Sequence, residues 1–244
     1  MKNILYIFFV ILSFNSCKKE CIETPGKSVE REFEVPAFTK IIVFQGVEVH
    51  IIDSPIQKIV VKTGINRLNN IFFQVIDATL EIKSDDSCGI NPTKDPIKVF
   101  IFSPIISSIR NSGEYTIYSD GILTYPSIEL ISEDFQSNYL NIGNFQLEIQ
   151  NQDVSVISNG YSNIQIKGFT NYLYLGYFSG LGKFEGKEFL VNQIEFYHRG
   201  ENNLKVNPIQ SLKGQFYSVG NLISYNHPPI VLTSEHYTGK LVFE

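Results

Sequence analysis

The chain has 244 residues, of which 43% are hydrophobic, 13% aromatic and 18% charged, a length sufficient for one sizeable core or two small ones. The formal net charge is -5 and the Lys and Arg residues are dispersed. We therefore expect no nucleic-acid partner, because binding to a phosphate backbone needs clustered positive charge.

The N-terminus predicts export and attachment to a membrane. Lys2 precedes an apolar segment at residues 4–14, which suits a signal peptide but is short for a membrane span. Ser16 and Cys17 then resemble a lipobox, at which a signal peptidase cleaves before a lipid-modified cysteine. We expect residues 1–16 to be a lipoprotein signal peptide and Cys17 to be the lipidation site; the alternative is an ordinary signal peptide cleaved elsewhere.

The charged sequence KKE after Cys17 resembles signals that send some lipoproteins to the outer surface. The predicted location is therefore the outer membrane, through the lipid anchor, facing the cell surface or the periplasm. In such an oxidising compartment Cys21 and Cys88 could form a disulfide, although two free thiols fit the sequence equally well. No Cys or His spacing typical of a metal site occurs, and we expect neither a metal nor a cofactor.

Residues 17–37 are polar and indicate a tether. From residue 38 short β-rich segments follow one another, separated by Gly, Asn, Asp or Pro. They lie at residues 40–44, 47–52, 58–62, 71–76, 79–83 and 97–102. No sustained helical periodicity occurs, so the sequence predicts an all-β protein with an N-terminal β-rich part at residues 38–104.

A repeat of about twenty residues follows over residues 105–244. Its glycines, at positions 160, 180, 200, 220 and 239, are 20, 20, 20 and 19 residues apart. One unit has no glycine at the aligned position, and Gln136 takes that place. When the units are aligned in this way, the position four residues after the glycine is apolar in nearly every unit. The residues at this position are Ile117, Leu140, Ile164, Phe184, Leu204, Ser224 and Phe243.

Such a short unit cannot bury its own apolar face, so successive units must stack. The sequence therefore predicts a right-handed parallel β-helix, or solenoid, of about seven coils with the N-terminal β-rich part as its cap. We expect glycine at each corner because the corner needs a positive φ angle.

The segment GYFSGLGKFEGK at residues 176–187 looks like a phosphate-binding loop. Its glycine spacing fits neither a Walker A loop nor a dinucleotide fingerprint, and Phe184 replaces the Ser or Thr that a Walker A loop requires. The glycines are better explained as corners of the repeat.

Acidic residues are candidate catalytic groups because some polysaccharide-cleaving enzymes are β-helices. Two groups occur, one of Glu185, Glu188, Glu195 and Glu201, the other of Asp85, Asp86 and Asp95. Basic residues interleave with the first group, as on a solvated surface, and catalysis remains the weaker hypothesis. The scattered histidines, including His198 and His236, are interpreted as surface residues.

The column three residues before the corner glycines contains Tyr177, Tyr197, Tyr217 and His236. Phe196 and Phe216 directly precede two of these residues and are expected to point inward. Because side chains alternate along a strand, the side chains of this aromatic column are expected to point outward. An outer aromatic ladder would stabilise the sheet, or it would be a binding strip for a sugar or a protein.

Three segments resemble the family called putative auto-transporter adhesin, head GIN domain, over residues 38–244. The matching positions are Phe38, Lys40 and Ile41; Ile97, Val99, Ile101, Pro104, Ile109, Ser112 and Gly113; and Gly220, Ile223, Tyr225 and Pro228. The corners depart from the usual serine-glycine form, and Asn226-His227 replaces a usual glycine. The resemblance implies an exported lipoprotein with a β-helix-like fold, supports adhesion weakly, and supplies no catalytic residues.

The expected function is therefore non-enzymatic binding or adhesion at the cell envelope, with a glycan or a protein as ligand. A structural or assembly role with a partner protein is the first alternative, and a polysaccharide lyase or hydrolase is the second. The sequence does not indicate an oligomeric state.

Overall fold

The computed structural model describes residues 25–85, 96–136 and 139–244. Within these ranges the chain forms a 3₁₀ helix at Ile65–Asn70 and seventeen strands. The strands are β1 (Ser28–Phe33), β2 (Lys40–Val43), β3 (Val47–Asp53), β4 (Lys58–Gly64), β5 (Ile71–Ile76), β6 (Thr79–Ser84), β7 (Ile97–Ser103), β8 (Ser108–Asn111), β9 (Ile117–Leu123), β10 (Ser127–Ser132), β11 (Phe145–Ser158), β12 (Asn163–Tyr177), β13 (Lys183–His198), β14 (Leu204–Phe216), β15 (Leu222–Ser224), β16 (Ile230–Glu235) and β17 (Leu241–Phe243).

The all-β prediction is confirmed, and each β-rich segment predicted between residues 40 and 102 overlaps an observed strand. Alternation of apolar and polar residues explains this success. In β7 every second side chain is buried, and β3 alternates in the same way up to Ile51, which is the signature of a strand with one face toward a core.

All described strands belong to one sheet, which runs as two columns. Column A is built in the order β5, β6, β2, β8, β10, the second halves of β11 to β14, and β16. Column B is built in the order β1, β4, β7, β3, β9, the first halves of β11 to β14, β15 and β17. The four long strands pass through both columns and join them.

The prediction of a right-handed parallel β-helix of about seven coils is wrong. The sheet is mixed, because β1 pairs antiparallel with β4, β4 with β7, and β5 with β6. The β5–β6 hairpin turns at Asp77 and Ala78, which both have positive φ angles (47° and 57°). This backbone conformation reverses the direction of the chain. The sequence did not predict this turn. Parallel pairing governs the strands from β10 onward.

The core is a single cluster of apolar side chains supplied by alternate residues of both columns. One buried row runs through column B in strand register. It consists of Ile117, Phe145, Ile164, Phe184, Leu204, Leu222 and, partly buried at the end, Leu241.

This row corrects the repeat alignment at three positions. Phe145, Leu222 and Leu241 occupy the places assigned to Leu140, Ser224 and Phe243. Leu204 pairs with Leu222, eighteen residues later, so the distance between glycines does not give the pairing register at the end of the repeat. The unit without an aligned glycine does contain Gly143, two residues before the buried Phe145. Gly182 stands in the same relation to Phe184, so the position assigned to Gln136 was wrong.

Crowding, more than backbone angle, explains most corner glycines. Among the five glycines of the predicted series, only Gly180 has φ in the left-handed region, at +86°. At Gly220 a Cβ atom would lie 2.5 Å from the carbonyl oxygen of Asn202 and 2.5 Å from Nε2 of His198. The backbones of neighbouring corners approach so closely that a methyl group has no room.

We therefore predict that Gly220→Ala lowers the free energy of unfolding by about 1–3 kcal/mol, the usual effect of forcing an extra carbon into a packed interior. Urea denaturation monitored by circular dichroism measures the loss. Gly200→Ala is the matched control, because its Cβ would meet its nearest atom, Cε1 of His198, at 3.2 Å. Equal losses in the two variants would refute the crowding explanation.

Candidate functional site

An aromatic stack crosses the corners at one end of column A. We call it the corner stack and define it as Phe178, Tyr197, Tyr217 and His236. The ring centroids of Tyr197 and Tyr217 lie 4.9 Å apart, those of Tyr217 and His236 lie 4.4 Å apart, and both pairs are stacked. The Phe178 ring lies 5.2 Å from Tyr197 in a tilted arrangement.

The predicted outer column is thus correct at Tyr197, Tyr217 and His236 but wrong at Tyr177. The Tyr177 side chain is fully buried, its hydroxyl donates to the carbonyl oxygen of Lys183, and burial raises its pKa. Tyr177 pairs with His198 in strand register, whereas Tyr197 pairs with Gly176, so the two tyrosines face opposite sides of the sheet. Phe178 takes the outer place.

Both ring faces of Tyr217 are covered, one by Tyr197 and the other by His236. The interior of the corner stack therefore leaves ring edges, and no flat face, for a ligand. Ring-on-ring contacts of this kind contribute about 0.5–1.5 kcal/mol each beyond area burial. The stack primarily stabilises the corners.

A groove of about 590 Å³ adjoins the stack on the outer face of column A. Two neighbouring rows of outward side chains line it. One row contains Tyr174, Glu195, Lys213 and Leu232; the other contains Tyr197, Gln215 and Ser234. The first row crosses four strands, or three strand spacings, which is roughly 14 Å.

Hydrogen bonds to two tyrosines fix the polar side chains in and beside the groove. The hydroxyl of Tyr172 donates to Oε2 of Glu195 at 2.9 Å, and that of Tyr217 donates to Oε1 of Gln215 at 2.8 Å. Burial and Glu195 raise the pKa of Tyr172 to about 12 and also raise the pKa of Tyr174. The hydroxyls of Tyr172 and Tyr174 are therefore protonated at neutral pH and can donate hydrogen bonds.

Sequence reasoning found Tyr197 but missed Tyr174 and Lys213 as members of a site. The signal was present in the alternation of β12, where Tyr172 and Tyr174 flank the buried Leu173. What joins them to the groove is the pairing register: Glu195 lies opposite Tyr174 on one side and Lys213 on the other. Eighteen residues separate Glu195 from Lys213, and the twenty-residue repeat does not give that pairing.

The model of the family described as putative auto-transporter adhesin, head GIN domain, matches residues 37–228 of the chain. The chain belongs to this family. The resemblance predicted from the sequence is thereby confirmed, and the family description indicates an adhesion-like role at the cell surface. A comparison with curated proteins gives no match.

Solved structures of three bacterial proteins have a similar fold. A putative adhesin from Bacteroides fragilis is 22% identical, with 89% of this chain and 97% of that chain covered and a TM-score of 0.78. A putative lipid binding protein from Parabacteroides distasonis is 15% identical (89% and 97% covered, TM-score 0.59). A putative adhesin from Parabacteroides merdae is 14% identical (90% and 97% covered, TM-score 0.56).

Several expected features of this head GIN chain lie outside the described residues. They are the lipidation site Cys17, the cysteine pair Cys21 and Cys88, and the acidic residues Asp86 and Asp95. Within the described ranges no helix is long and apolar enough to cross a membrane. No group of three or more His, Cys, Asp or Glu residues there is arranged to hold a metal ion.

The four glutamates considered for catalysis do not converge. Glu185 lies in column B, where it forms an ion pair with Lys205 at 3.1 Å. Glu195 lies in column A, and Glu188 and Glu201 are exposed elsewhere on the surface. The sequence grouped them because they are close along the chain, whereas β13 passes from column B to column A between Glu185 and Glu195.

His198 is a buried residue, which corrects its interpretation as a surface histidine. The side chain is fully enclosed between Tyr177 and Phe216, and Nδ1 accepts a hydrogen bond from the amide of Gly200 at 3.3 Å. Nε2 has no regular hydrogen bond, although the nearby Asn202 carbonyl favours the protonated ring. Burial dominates and lowers the pKa of His198 from 6.5 to about 4.

This histidine makes stability depend on pH. Between pH 6.5 and 4 the unfolded chain binds a proton at His198 that the folded chain does not, so its contribution is complete above pH 6.5 and is lost as the pH falls. We predict a decrease of about 3 kcal/mol over this interval, since each pKa unit corresponds to roughly 1.4 kcal/mol.

His198→Asn should remove this part of the pH dependence, because Asn does not titrate. It can also still accept from residue 200, as Asn111 accepts from the amide of Gly113. Denaturation midpoints between pH 4 and 8 measure the effect, with His227→Asn at an exposed position as the control. An unchanged pH profile in His198→Asn would show that His198 is not the titrating group.

Proposed function

We propose that the protein is a non-enzymatic binding module of the cell envelope that holds a glycan in the groove beside Tyr174 and Tyr197. The observation that carries this proposal is the composition of the groove, which combines aromatic rings with hydrogen-bonding side chains on a rigid sheet. Membership in an adhesin-head family supports a role in attachment at the cell surface.

The aromatic part of the groove suits the apolar face of a sugar ring. Tyr174 is only partly buried, and its ring stacks on no other aromatic ring of the described chain. An aromatic side chain in this position can cover the flat C–H face of a sugar while its hydroxyl stays in water. Tyr197 forms the neighbouring wall, held in place by the corner stack.

The polar part suits the hydroxyl groups of a sugar. Glu195 offers carboxylate acceptors, Lys213 offers donors, and Gln215 offers both. Because Tyr172 already fixes one carboxylate oxygen of Glu195, this side chain is preorganised, which lowers the entropy cost of binding. The length of the groove accommodates a short oligosaccharide better than a single sugar.

The same groove supports binding over hydrolysis. Glycoside hydrolases use two carboxyl groups, typically about 5–10 Å apart, one on each side of the scissile bond. Among the described residues that line the groove, Glu195 is the only carboxylate. Its carboxylate accepts a hydrogen bond from Tyr172, and the residue opposite it on β14 is Lys213, so the groove offers groups that hold a ligand and provides no second acid.

Attachment of this module to the outer membrane through lipid on Cys17 completes the proposal. It rests on the apolar segment at residues 4–14 and the adjoining Ser16–Cys17 sequence. A lipid anchor would leave the sheet free to face the ligand outside the membrane.

We predict that the full chain, solubilised in detergent, binds a subset of oligosaccharides on a glycan array. Tyr174→Ala and Glu195→Gln should each weaken that binding by about tenfold or more, the effect of losing a stacking surface or a charged hydrogen bond. Tyr161→Ala is the control, because Tyr161 is an exposed tyrosine that does not line the groove.

Tyr217→Ala separates stabilisation from binding. Because its ring faces are covered, Tyr217 acts on the groove only through Tyr197 and Gln215, so this variant should lower the stability of the fold and weaken glycan binding less than Tyr174→Ala does. An array on which no glycan is bound, or on which the groove variants bind as the unmodified chain does, would contradict the proposed function.

A further inference from the structure

The last strands of the two columns leave an open sheet edge. Among the described strands, β16 pairs only with β14, and β17 pairs only with β15. Each therefore has one side whose backbone N–H and C=O groups take no part in the described ladder. Such an edge is a template for pairing with another strand.

The direction of the free groups follows from the hydrogen bonds on the paired side. In β16 the amide of His236, just past the strand, donates to Phe216, so by alternation Val231, Thr233 and Glu235 direct their backbone groups to the open side. In β17 the amide of Glu244 donates to Ser224 and the carbonyl of Lys240 accepts from Leu222. The backbone N–H and C=O groups of Leu241 and Phe243 therefore point to the open side.

The open edge is apolar and lacks the usual protection. Leu232 is 63% exposed, and four further apolar residues of β16 and β17 are exposed with it: Ile230, Val231, Val242 and Phe243. The edge strand β1 at the other end of column B carries three consecutive charged residues, Glu30, Arg31 and Glu32. Charged side chains of that kind discourage strand addition, and β16 has none before its last residue.

We propose that this edge pairs with the same edge of a second copy of the chain, as antiparallel strands related by a two-fold axis. Such an interface uses one surface patch twice, so the patch must be complementary to itself. In β17, pairing centred on Val242 places Lys240 opposite Glu244 of the second copy, and Glu244 opposite Lys240 of the second copy. Both cross-strand pairs then join opposite charges.

The free groups of β16 fit the same symmetry. Pairing centred on Thr233 sets Val231 opposite Glu235 of the second copy and lets the open-side N–H and C=O groups of these residues exchange hydrogen bonds. No two like charges face each other in this register. The pairing would place the exposed apolar side chains beside those of the second copy and leave neither column with an open end on this side.

Sedimentation velocity of the full chain in detergent, over a range of concentrations, tests this interface. The expected result is a reversible dimer. Thr233→Pro should raise the dimer dissociation constant by about tenfold or more, because proline removes an N–H on the open side and spares the hydrogen bonds to β14. Leu190→Lys is the control, since it puts a charge at an exposed apolar position away from the edge.

A charge exchange provides the second test and does not depend on how the strand tolerates proline. Lys240→Glu alone and Glu244→Lys alone should each weaken the dimer, and the double variant should restore it. The proposal would be overturned if the protein were a monomer at every concentration. That includes the case in which another part of the same chain covers the open edge. A dimer whose dissociation constant is unchanged in Thr233→Pro and in both single charge variants would also overturn it.

Discussion

Parallel backbone pairing between successive segments is the constraint on which the rest of the structure depends. In β11 to β14 the strands satisfy one another's backbone hydrogen-bonding groups, and outside the register shifts each residue lies directly beside one particular residue of the next segment. That placement creates the buried row of column B, brings the corners so close that glycine is needed, and lines up the outward side chains. An all-β fold of this kind is specified less by any single contact than by its register.

A local irregularity in that register creates the candidate site. Glu185 pairs with Lys205, twenty residues later, but Glu195 pairs with Lys213, eighteen residues later. The register shifts between Glu185 and Gln193, where β13 contains two more residues than β14. Tyr197 therefore lies opposite Gln215 and only diagonally next to Tyr217, and the outward rows form a groove beside the stack.

The sequence predicted the features that depend on local alternation. Strands between residues 40 and 102, the inward direction of Phe196 and Phe216, and the outward direction of Tyr197 all follow from a period of two. Family membership also followed from the three segments that resemble the family, and the family model confirms it. The antiparallel β5–β6 pair did not follow, because the turn at Asp77 and Ala78 contains neither Gly nor Pro. The burial of Tyr177 did not follow either, because a repeat counted on glycine hides which residue faces the core.

The proposed function depends on the same register, since the groove exists only if Glu195 lies beside Lys213. Paired cysteines measure this directly. Neighbouring Cα atoms of paired strands are about 4.8 Å apart, within the range of a disulfide, whereas a residue two positions further lies about 8 Å away. On mild oxidation, Glu195→Cys with Lys213→Cys should form a disulfide identified in a proteolytic digest by mass spectrometry, and Glu195→Cys with Gln215→Cys should not. Cross-linking of the second pair without the first would show a twenty-residue register and contradict the account.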